Sequence, residues 1–252
     1  MNKISKLAKV CDSLKIGKNN FIGDNVKIME NVIIGSNNKI YDNTIIYPNT
    51  IIGDNNIILN NNKIGELGVQ SNVDYENFEF KYNGLQIGNN NFFHVNNIIF
   101  NGFHKKTIIG NNNKFLSQNS VHHDSYVGNN VIMYPRAMIA GFCKLLDNST
   151  MGMNSSLQQR MTLGQYSMIG MNCPASHNIF PFHIYFNNNY IRYNTHRIPE
   201  YFDINSINLN EIILYIKKKS YDDIVKKKIN KLPNDIKNII FEFLSELDII
   251  KI

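Results

Sequence analysis

Large apolar residues recur at every sixth position along most of the chain. The first series runs through Ile16, Ile22, Ile28, Ile34, Ile40, Ile46, Ile52, Ile58 and Ile64. After an interruption the series resumes at Ile87, Phe93 and Ile99, shifts phase once, and continues through Ile109, Phe115, Val121, Val127, Met133, Ile139, Leu145, Met151, Leu157, Leu163 and Ile169. Neither an α-helix nor an ordinary strand repeats with this period. The pattern therefore predicts an internally repeated fold.

A period of six residues predicts a prism-shaped parallel β-helix, with three short strands in each turn. Each strand points one large apolar side chain inward, and stacked turns bury a continuous aliphatic column. Gly often follows the inward residue, as at Gly17 and Gly35, and Asn-Asn pairs recur at a fixed phase. Gly and Asn are expected at the corners of the prism, where a positive φ is tolerated by both types. We expect the repeated Asn side chains to form ladders between turns.

Two segments, 66–86 and 102–107, interrupt the prism and are too long or too polar for a corner. Loops that project from a rigid scaffold commonly carry function, which is one interpretation of these segments. A neutral surface insertion is the other, and the sequence leaves both open.

The repeat fades near Pro174, and a helical tail is predicted after an aromatic-rich segment, 177–201. Apolar residues at helical spacing predict one helix around Ile212, Ile213 and Ile216, a second with Ser220 as its cap and Ile224, Val225 and Ile229 on one face, and a last one that begins at Pro233-Asn234. The predicted fold class is mainly β, with a β-helix domain over 1–176 and a connecting segment with an α-helical C-terminal domain over 177–252.

The composition limits which binding partners and which cellular location are expected. The chain has 252 residues, 43% of them hydrophobic, and a net charge of +6. Its lysine clusters at 217–219 and 226–228 are interspersed with acids, which predicts a solvated helix face or a site for an acidic partner, and no nucleic-acid partner. Neither an apolar run of about 18 residues, as a membrane span requires, nor a signal peptide is present. The separated Cys11, Cys143 and Cys173 predict reduced thiols and a cytoplasmic location.

The candidate chemistry lies in the stretch His122-His123-Asp124, shortly before Val127-Gly128-Asn129. A histidine beside a carboxylate is suited to general-base catalysis near pH 7. If Val121 points inward, strict alternation turns His122 outward and places His123 near a corner. The residues alone leave open whether His123, His122 or neither acts as a base.

The repeat with its helical tail resembles the hexapeptide-repeat transferases over nearly the whole chain. In order and length it is most similar to the UDP-N-acetylglucosamine O-acyltransferases of lipid A synthesis. This resemblance implies a left-handed β-helix and a homotrimer with active sites in the clefts between subunits. It also implies a nucleotide-sugar substrate, a thioester of acyl carrier protein or coenzyme A as co-substrate, and no bound cofactor.

The resemblance also implies roles for particular residues. His123 matches the general base, Asp124 its neighbour, and Gly141, in Ile139-Ala140-Gly141, the glycine whose N–H holds the thioester oxyanion. Glu79 and Lys81 are similar to an acidic-x-Lys-Tyr element that contacts the sugar. The residues expected to bind substrate are Glu79, Lys81, His122, Gln158, Gln159 and Asn194.

Three departures from the family pattern leave alternatives open. Phe142 replaces a second histidine, Gln158 replaces the histidine before a glutamine, and no Gly-Leu-Lys-Arg-like run follows Asn194. One alternative is an acetyl-coenzyme A-dependent N-acetyltransferase of an amino sugar, and another is a non-catalytic sugar-binding or scaffold trimer. A β-helix carbonic anhydrase needs three histidines on zinc, and His94 and His104 do not rebuild that set beside His122.

Overall fold

A computed structural model of the protein describes residues 1–68, 77, 82–209, 212–214 and 223–248. The sixth-residue series is confirmed as the inward column, because every member from Ile22 to Ile169 is buried. Ile16, near the end of the prism, is only partly buried. The fold class predicted from the repeat, a parallel β-helix, is therefore confirmed.

Three sheets, in which nearly all strands run parallel, form the faces of the prism. The first contains β1 (Lys3–Ile4), β4 (Phe21–Ile22), β7 (Lys39–Ile40), β10 (Ile57–Ile58), β13 (Phe92–Phe93), β16 (Lys114–Phe115), β19 (Ile132–Met133), β22 (Thr150–Met151), β25 (Met168–Ile169), β27 (His183–Phe186) and β28 (Asn189–Tyr193). The second contains β2 (Lys9–Val10), β5 (Lys27–Ile28), β8 (Ile45–Ile46), β11 (Lys63–Glu66), β14 (Ile98–Phe100), β17 (Ser120–Val121), β20 (Met138–Ile139), β23 (Ser156–Leu157) and β26 (Pro174–Ala175). The third contains β3 (Lys15–Ile16), β6 (Ile33–Ile34), β9 (Thr50–Ile52), β12 (Leu85–Ile87), β15 (Thr107–Ile109), β18 (Tyr126–Val127), β21 (Lys144–Leu145) and β24 (Thr162–Leu163).

The corners of the prism use Asn and Gly for different reasons. The third residue after each inward position from Ile16 to Ile58 is left-handed, and it is asparagine at each of these corners, Asn19 to Asn61, with φ between 56° and 62°. Asn is among the few L residues that adopt this conformation readily. The expectation that the adjacent Gly also takes a positive φ is wrong at Gly17 and Gly35. Glycine is needed there for close approach, since a Cβ on Gly35 would lie 2.7 Å from the Gly53 carbonyl oxygen of the next turn.

The predicted asparagine ladders are present inside the corners. The main-chain N–H of Asn38 donates to Oδ1 of Asn20, that of Asn56 to Asn38, and that of Asn91 to Asn56, at 2.8 to 2.9 Å. These side chains are at most 1% exposed. Each amide therefore pairs a main-chain group of the next turn that would otherwise be buried without a partner.

The C-terminal part continues the first sheet and then adds helices. Strand β27 pairs parallel with β25 and antiparallel with β28. Two short 3-10 turns, Glu200–Phe202 and Ile204–Ser206, precede helices α1 (Asp223–Asn230) and α2 (Asn234–Glu246), the latter with Pro233 at its N-cap as predicted. A second apolar cluster joins Phe180 and Phe182 to the helices. Ile216 and the predicted cap Ser220 lie outside the described residues.

None of the helices in the described ranges is long and apolar enough to cross a membrane. The division into domains at 176 stays a prediction.

Candidate active site

His123 and Asp124 lie at the corner that follows strand β17. Asp124 occupies the left-handed corner position with a φ of 60°, where the N-terminal turns have asparagine. Both residues are buried, at 6% and 1% exposed. Nδ1 of His123 lies 2.7 Å from Oδ2 of Asp124. The corner geometry therefore brings two sequence neighbours into direct contact.

The other carboxylate oxygen of Asp124 is held by the segment 102–107. Oδ1 accepts hydrogen bonds from the main-chain N–H groups of Phe103, His104 and Lys105, at 3.2, 2.8 and 2.6 Å. The main-chain N–H of Asp124 itself donates to Oγ1 of Thr107 at 3.0 Å. Successive N–H groups that converge on one point form an anion site, so this segment stabilises the ionised carboxylate.

The ionisation of Asp124 determines which nitrogen of His123 carries a proton. Burial alone would raise the pKa of the Asp124 carboxyl. The N–H of Lys105, the His123 side chain and the N–H of His104 together outweigh burial and hold this pKa below its ordinary value. An ionised carboxylate only accepts hydrogen bonds, so Nδ1 of neutral His123 must be the donor. Nε2 is then left unprotonated and able to accept a proton.

Gly141 lies against the His123 ring, one turn further along the prism. A Cβ at this position would lie 2.8 Å from Cε1 and 2.9 Å from Nε2 of His123. Within the part of the chain that the structure describes, the buried Gly141 N–H donates no hydrogen bond. An N–H group in this setting can stabilise an oxyanion that develops beside the imidazole.

Phe142 forms an apolar wall next to the pair, where the family resemblance has a second histidine. Its ring meets the His123 ring edge-on, with centroids 5.5 Å apart. The ring of His104 stacks on Phe142 at 5.7 Å, and Cζ of Arg160 lies 4.4 Å from its centroid. Asp124, Phe142 and Arg160 are all left-handed and occupy equivalent corner positions in successive turns. The departure at Phe142 therefore replaces a polar group by an aromatic surface that an Arg stacks on.

His122 differs from its neighbour in both environment and direction. It is half-buried, and its ring stacks on Phe100 with centroids 4.6 Å apart. Burial, and secondarily the charge of His123, lower its pKa. The described structure shows no carboxylate that orients its ring. The geometry favours His123 as the base.

Gln158 and Gln159 lie at the same corner as His123, further along the prism. Both are exposed, and the main-chain N–H of the next residue, Arg160, donates to the Gly141 carbonyl at 3.1 Å. Turns of a parallel β-helix are separated by about 4.8 Å, so Gln159 lies about two turns from His123. Their predicted role in substrate binding stays a prediction.

Asn194 lies at a different corner of the same chain. Its side chain is 2% exposed, and Nδ2 donates to the Tyr166 carbonyl oxygen at 3.0 Å. The structure does not bring it beside His123 within one chain. Glu79 and Lys81 lie outside the described residues.

Sequence reasoning missed the groups that hold Asp124. Thr107 and the N–H groups of 103–105 carry no motif, because a main-chain donor is independent of residue type. Gly68 was also missed, although a Cβ there would lie 2.8 Å from the His123 Cβ. The sequence did contain one signal for Asp124, Phe142 and Arg160. Each stands at a corner position of the repeat where the first turns have asparagine.

The bacterial transferase hexapeptide (six repeats) family model matches residues 13–46 and 31–66. The chain is 34% identical over 76 residues to the acyl-[acyl-carrier-protein]--UDP-N-acetylglucosamine O-acyltransferase of Sinorhizobium fredii, a match that spans 30% of this chain and 28% of that protein. Its match to the enzyme of the same name from Nautilia profundicola is 33% identical over 113 residues, 42% of this chain and 44% of that protein. The chain thus spans less than half the length of these relatives in alignment.

The solved structure of the UDP-N-acetylglucosamine acyltransferase from Bacteroides fragilis is similar over almost all of both chains. It covers 96% of each chain with a TM-score of 0.79 and 28% sequence identity. The repeat and the prism place this chain in the hexapeptide-repeat class of β-helix proteins, and the family model matches that repeat over residues 13–66. Within that class, the family that it resembles is the UDP-N-acetylglucosamine O-acyltransferases, as the sequence indicated.

Proposed function

We propose that the protein transfers an acyl group from the thioester of acyl carrier protein to UDP-N-acetylglucosamine, as in lipid A synthesis. The observation that carries this proposal is the buried pair of His123 and Asp124, with Gly141 in contact with the imidazole ring. General-base help to a hydroxyl near pH 7 is what such a pair supplies.

The proposed reaction assigns one step to each group. Nε2 of His123 takes the proton of the acceptor hydroxyl while its oxygen attacks the thioester carbonyl carbon. The carbonyl oxygen becomes an oxyanion and accepts a hydrogen bond from the Gly141 N–H. When the C–S bond breaks, the imidazolium returns its proton to the leaving thiolate. Asp124 stabilises the imidazolium between these two steps and keeps Nδ1–H directed away from the substrate.

An assembly of several copies is part of the proposal. Outward-facing Ile33, Ile108 and Tyr126 lie on one sheet face and are 37 to 40% exposed. Ile108 and Tyr126 are neighbours in register, as are Ile33 and Ile51. These two apolar pairs, separated along the sheet by the exposed Gln86, support packing against another copy. In the homotrimer implied by the resemblance, the Asn194 corner of one subunit would face the His123 corner of its neighbour.

The donor and location are also proposals. Acyl carrier protein, or alternatively coenzyme A, is proposed to act as the thioester co-substrate. The free thiols of Cys11, Cys143 and Cys173 support a cytoplasmic location, where thiols stay reduced.

The test is to incubate the full chain with UDP-N-acetylglucosamine and either an acyl-acyl carrier protein, across a series of acyl chain lengths, or acetyl-coenzyme A. We expect acyl transfer from acyl carrier protein, and we expect His123→Ala to reduce kcat by about 10²- to 10⁴-fold, the usual contribution of a general base. His122→Ala is the matched comparison: it removes a residue expected to bind substrate and not the base, so it should change mainly KM and leave kcat largely intact.

Three outcomes would contradict the proposal. Transfer of acetyl groups to a UDP-linked amino sugar would favour the N-acetyltransferase alternative. Full activity of a folded His123→Ala variant would remove the assigned base. Binding of the sugar nucleotide without turnover of either thioester would favour the non-catalytic alternative.

A further inference from the structure

We infer that Asn101 is a positioning residue that couples the segment 66–86 to the catalytic pair, through the main-chain N–H groups that hold Asp124. The kinetic part of this inference rests on the proposed function. Its structural part, the orientation of the His123 ring, can be measured without any substrate.

The side chain and main chain of Asn101 together connect three separate parts of the prism. It is 0% exposed. Its Nδ2 donates to the Pro48 carbonyl oxygen at 3.0 Å, and its Oδ1 accepts from the Gly84 N–H at 2.6 Å. Its main-chain N–H donates to the Glu66 carbonyl oxygen at 2.7 Å. Asn101 therefore binds both ends of the segment 66–86 and anchors them to the preceding turn.

The residue after Asn101 begins the segment that holds Asp124. The N–H groups of Gly102 and Thr107 both donate to the Gly84 carbonyl oxygen at 3.1 Å. The three N–H groups that reach Asp124 Oδ1 lie between those two residues. A Cβ on Gly102 would lie 1.7 Å from the Lys105 carbonyl oxygen, so the turn has no room for a side chain there. The position of the N–H groups is consequently set by the Asn101–Gly84 junction.

A displacement of the Asn101–Gly84 junction should change the position of the His123 imidazole, because only Asp124 lies between the imidazole and the N–H groups of 103–105. Asp124 has no freedom of its own, since its main-chain N–H is bound by Thr107 and its Oδ1 by 103–105. Its remaining oxygen holds Nδ1 of His123 at 2.7 Å. A carboxylate that moves away from Nδ1 no longer selects the tautomer with an unprotonated Nε2. Loss of Asn101 should therefore change the imidazole itself, beyond any general loss of stability.

Asn97 is a matched control for substitution of Asn101. It precedes strand β14 and Asn101 follows it, and both side chains are 0% exposed. Asn97 also makes a full set of hydrogen bonds, with Asn62, His94 and the Asn119 N–H. These bonds belong to the asparagine ladder and do not contact the segment that holds Asp124.

The first experiment measures the His123 tautomer by ¹⁵N NMR of the histidine-labelled full chain, near pH 8. The His123 signals are identified by their loss in His123→Ala. We expect a protonated Nδ1 and an unprotonated Nε2 in the wild type and in Asn97→Ala, and a mixture of tautomers in Asn101→Ala. An unchanged His123 tautomer in folded Asn101→Ala would overturn the inference.

The second experiment is a double-mutant cycle on acyl transfer. We expect Asn101→Ala to lower kcat by about tenfold with little change in the KM of the acyl donor, because it acts through the base. If it acts through Asp124, the Asp124→Asn and Asn101→Ala effects are not additive, and the double variant is no slower than Asp124→Asn alone. Additive losses, or an equal loss of kcat in Asn97→Ala, would show that Asn101 is merely structural.

If Asn101→Ala does not fold, Asn101→Asp is measured in the same way. This isosteric change keeps an acceptor for the Gly84 N–H and removes the donor to Pro48. An inactive wild-type protein would refute the proposed function, while the NMR measurement would still decide the role of Asn101.

Discussion

The corners in the first turns of the prism differ from those around the candidate site. From Asn19 to Asn61 every left-handed corner residue is asparagine. In the later turns, equivalent positions with the same conformation hold Gln118, Asp124, Arg136, Phe142, Arg160 and Tyr166. A left-handed conformation costs most L residues about 1 to 2 kcal/mol, so these positions tolerate a cost that the first turns avoid.

Several of these exceptions lie together at the candidate site. Three of the exceptions follow one another at the same corner: Asp124 and Phe142 contact His123, and Arg160 stacks on Phe142. Tyr166 is explained by packing instead, because its ring stacks on Phe182 at 5.8 Å in the second apolar cluster. Backbone strain that clusters at one site indicates function there.

Asp124→Asn should produce the largest effect, by restoring the asparagine rule at the site. The backbone conformation suits asparagine, but the N–H groups of 103–105 lose their anionic partner, so we expect a modest loss of stability. The amide would offer Nδ2 to His123 Nδ1 and favour the other tautomer, which should lower kcat by about 10²- to 10⁴-fold. Acyl-transfer rates and urea unfolding measure the two effects. Asn112→Asp, at an exposed corner, is the control that should leave activity intact.

The free energy of unfolding should depend on pH through the buried His183 in the C-terminal part. Burial holds the pKa of His183 at about 4, although the Pro181 carbonyl opposes this. The folded pKa lies below the unfolded value of 6.5, so the stability associated with neutral His183 is present above pH 6.5 and is lost as pH falls towards 4. The loss should approach about 3 kcal/mol.

His183→Phe should remove this dependence. Urea unfolding at pH 7.5 and pH 4.5 would measure it, and the variant should lose about 2.5 kcal/mol less than the wild type over that range. An equal loss in both proteins would contradict the assignment to His183.

A third prediction tests the ladder that supports the regular turns. Asn56→Ala removes the acceptor of the Asn91 N–H and the donor to the Gly88 carbonyl, both inside the prism. The resulting unsatisfied groups should cost about 2 kcal/mol of the free energy of unfolding, without affecting acyl transfer. Asn55→Gly, at the adjacent exposed corner, keeps the left-handed conformation and serves as the control in the same urea titration.

The smallest expected effect is a change in stability when a left-handed corner residue distant from the candidate site is exchanged for another residue type. Arg136 is exposed and left-handed, and its Nε contacts only Gln118 in the neighbouring turn among the hydrogen bonds of the described chain. Arg136→Asn should stabilise the fold by about 0.5 to 1 kcal/mol, because asparagine adopts this conformation more readily. The reverse change, Asn130→Arg, should destabilise it by a similar amount, and thermal unfolding of both variants would measure the difference. If both variants unfold at the same temperature, asparagine does not stabilise the left-handed corners relative to arginine.

The inward column could be read from the sequence because it depends on one repeated choice, a large apolar residue at every sixth position. The corner role of asparagine was also predictable, although its location three residues after the inward residue was not. The pairing of His123 with Asp124 required the resemblance as well as the residues. Alternation in a strand gives no rule for the direction of a side chain at a corner.

The sequence by itself determined the prism, its buried column and the candidate residues, since a six-residue period has few other physical explanations. Only the tertiary structure decided how Asp124 is kept ionised and why His123, and not His122, is oriented. Those answers depend on main-chain N–H groups of 103–105 and on Asn101, which are distant from Asp124 along the chain or independent of residue type. Hydrogen bonds of this kind leave no pattern in a sequence, because any residue except proline supplies the donor.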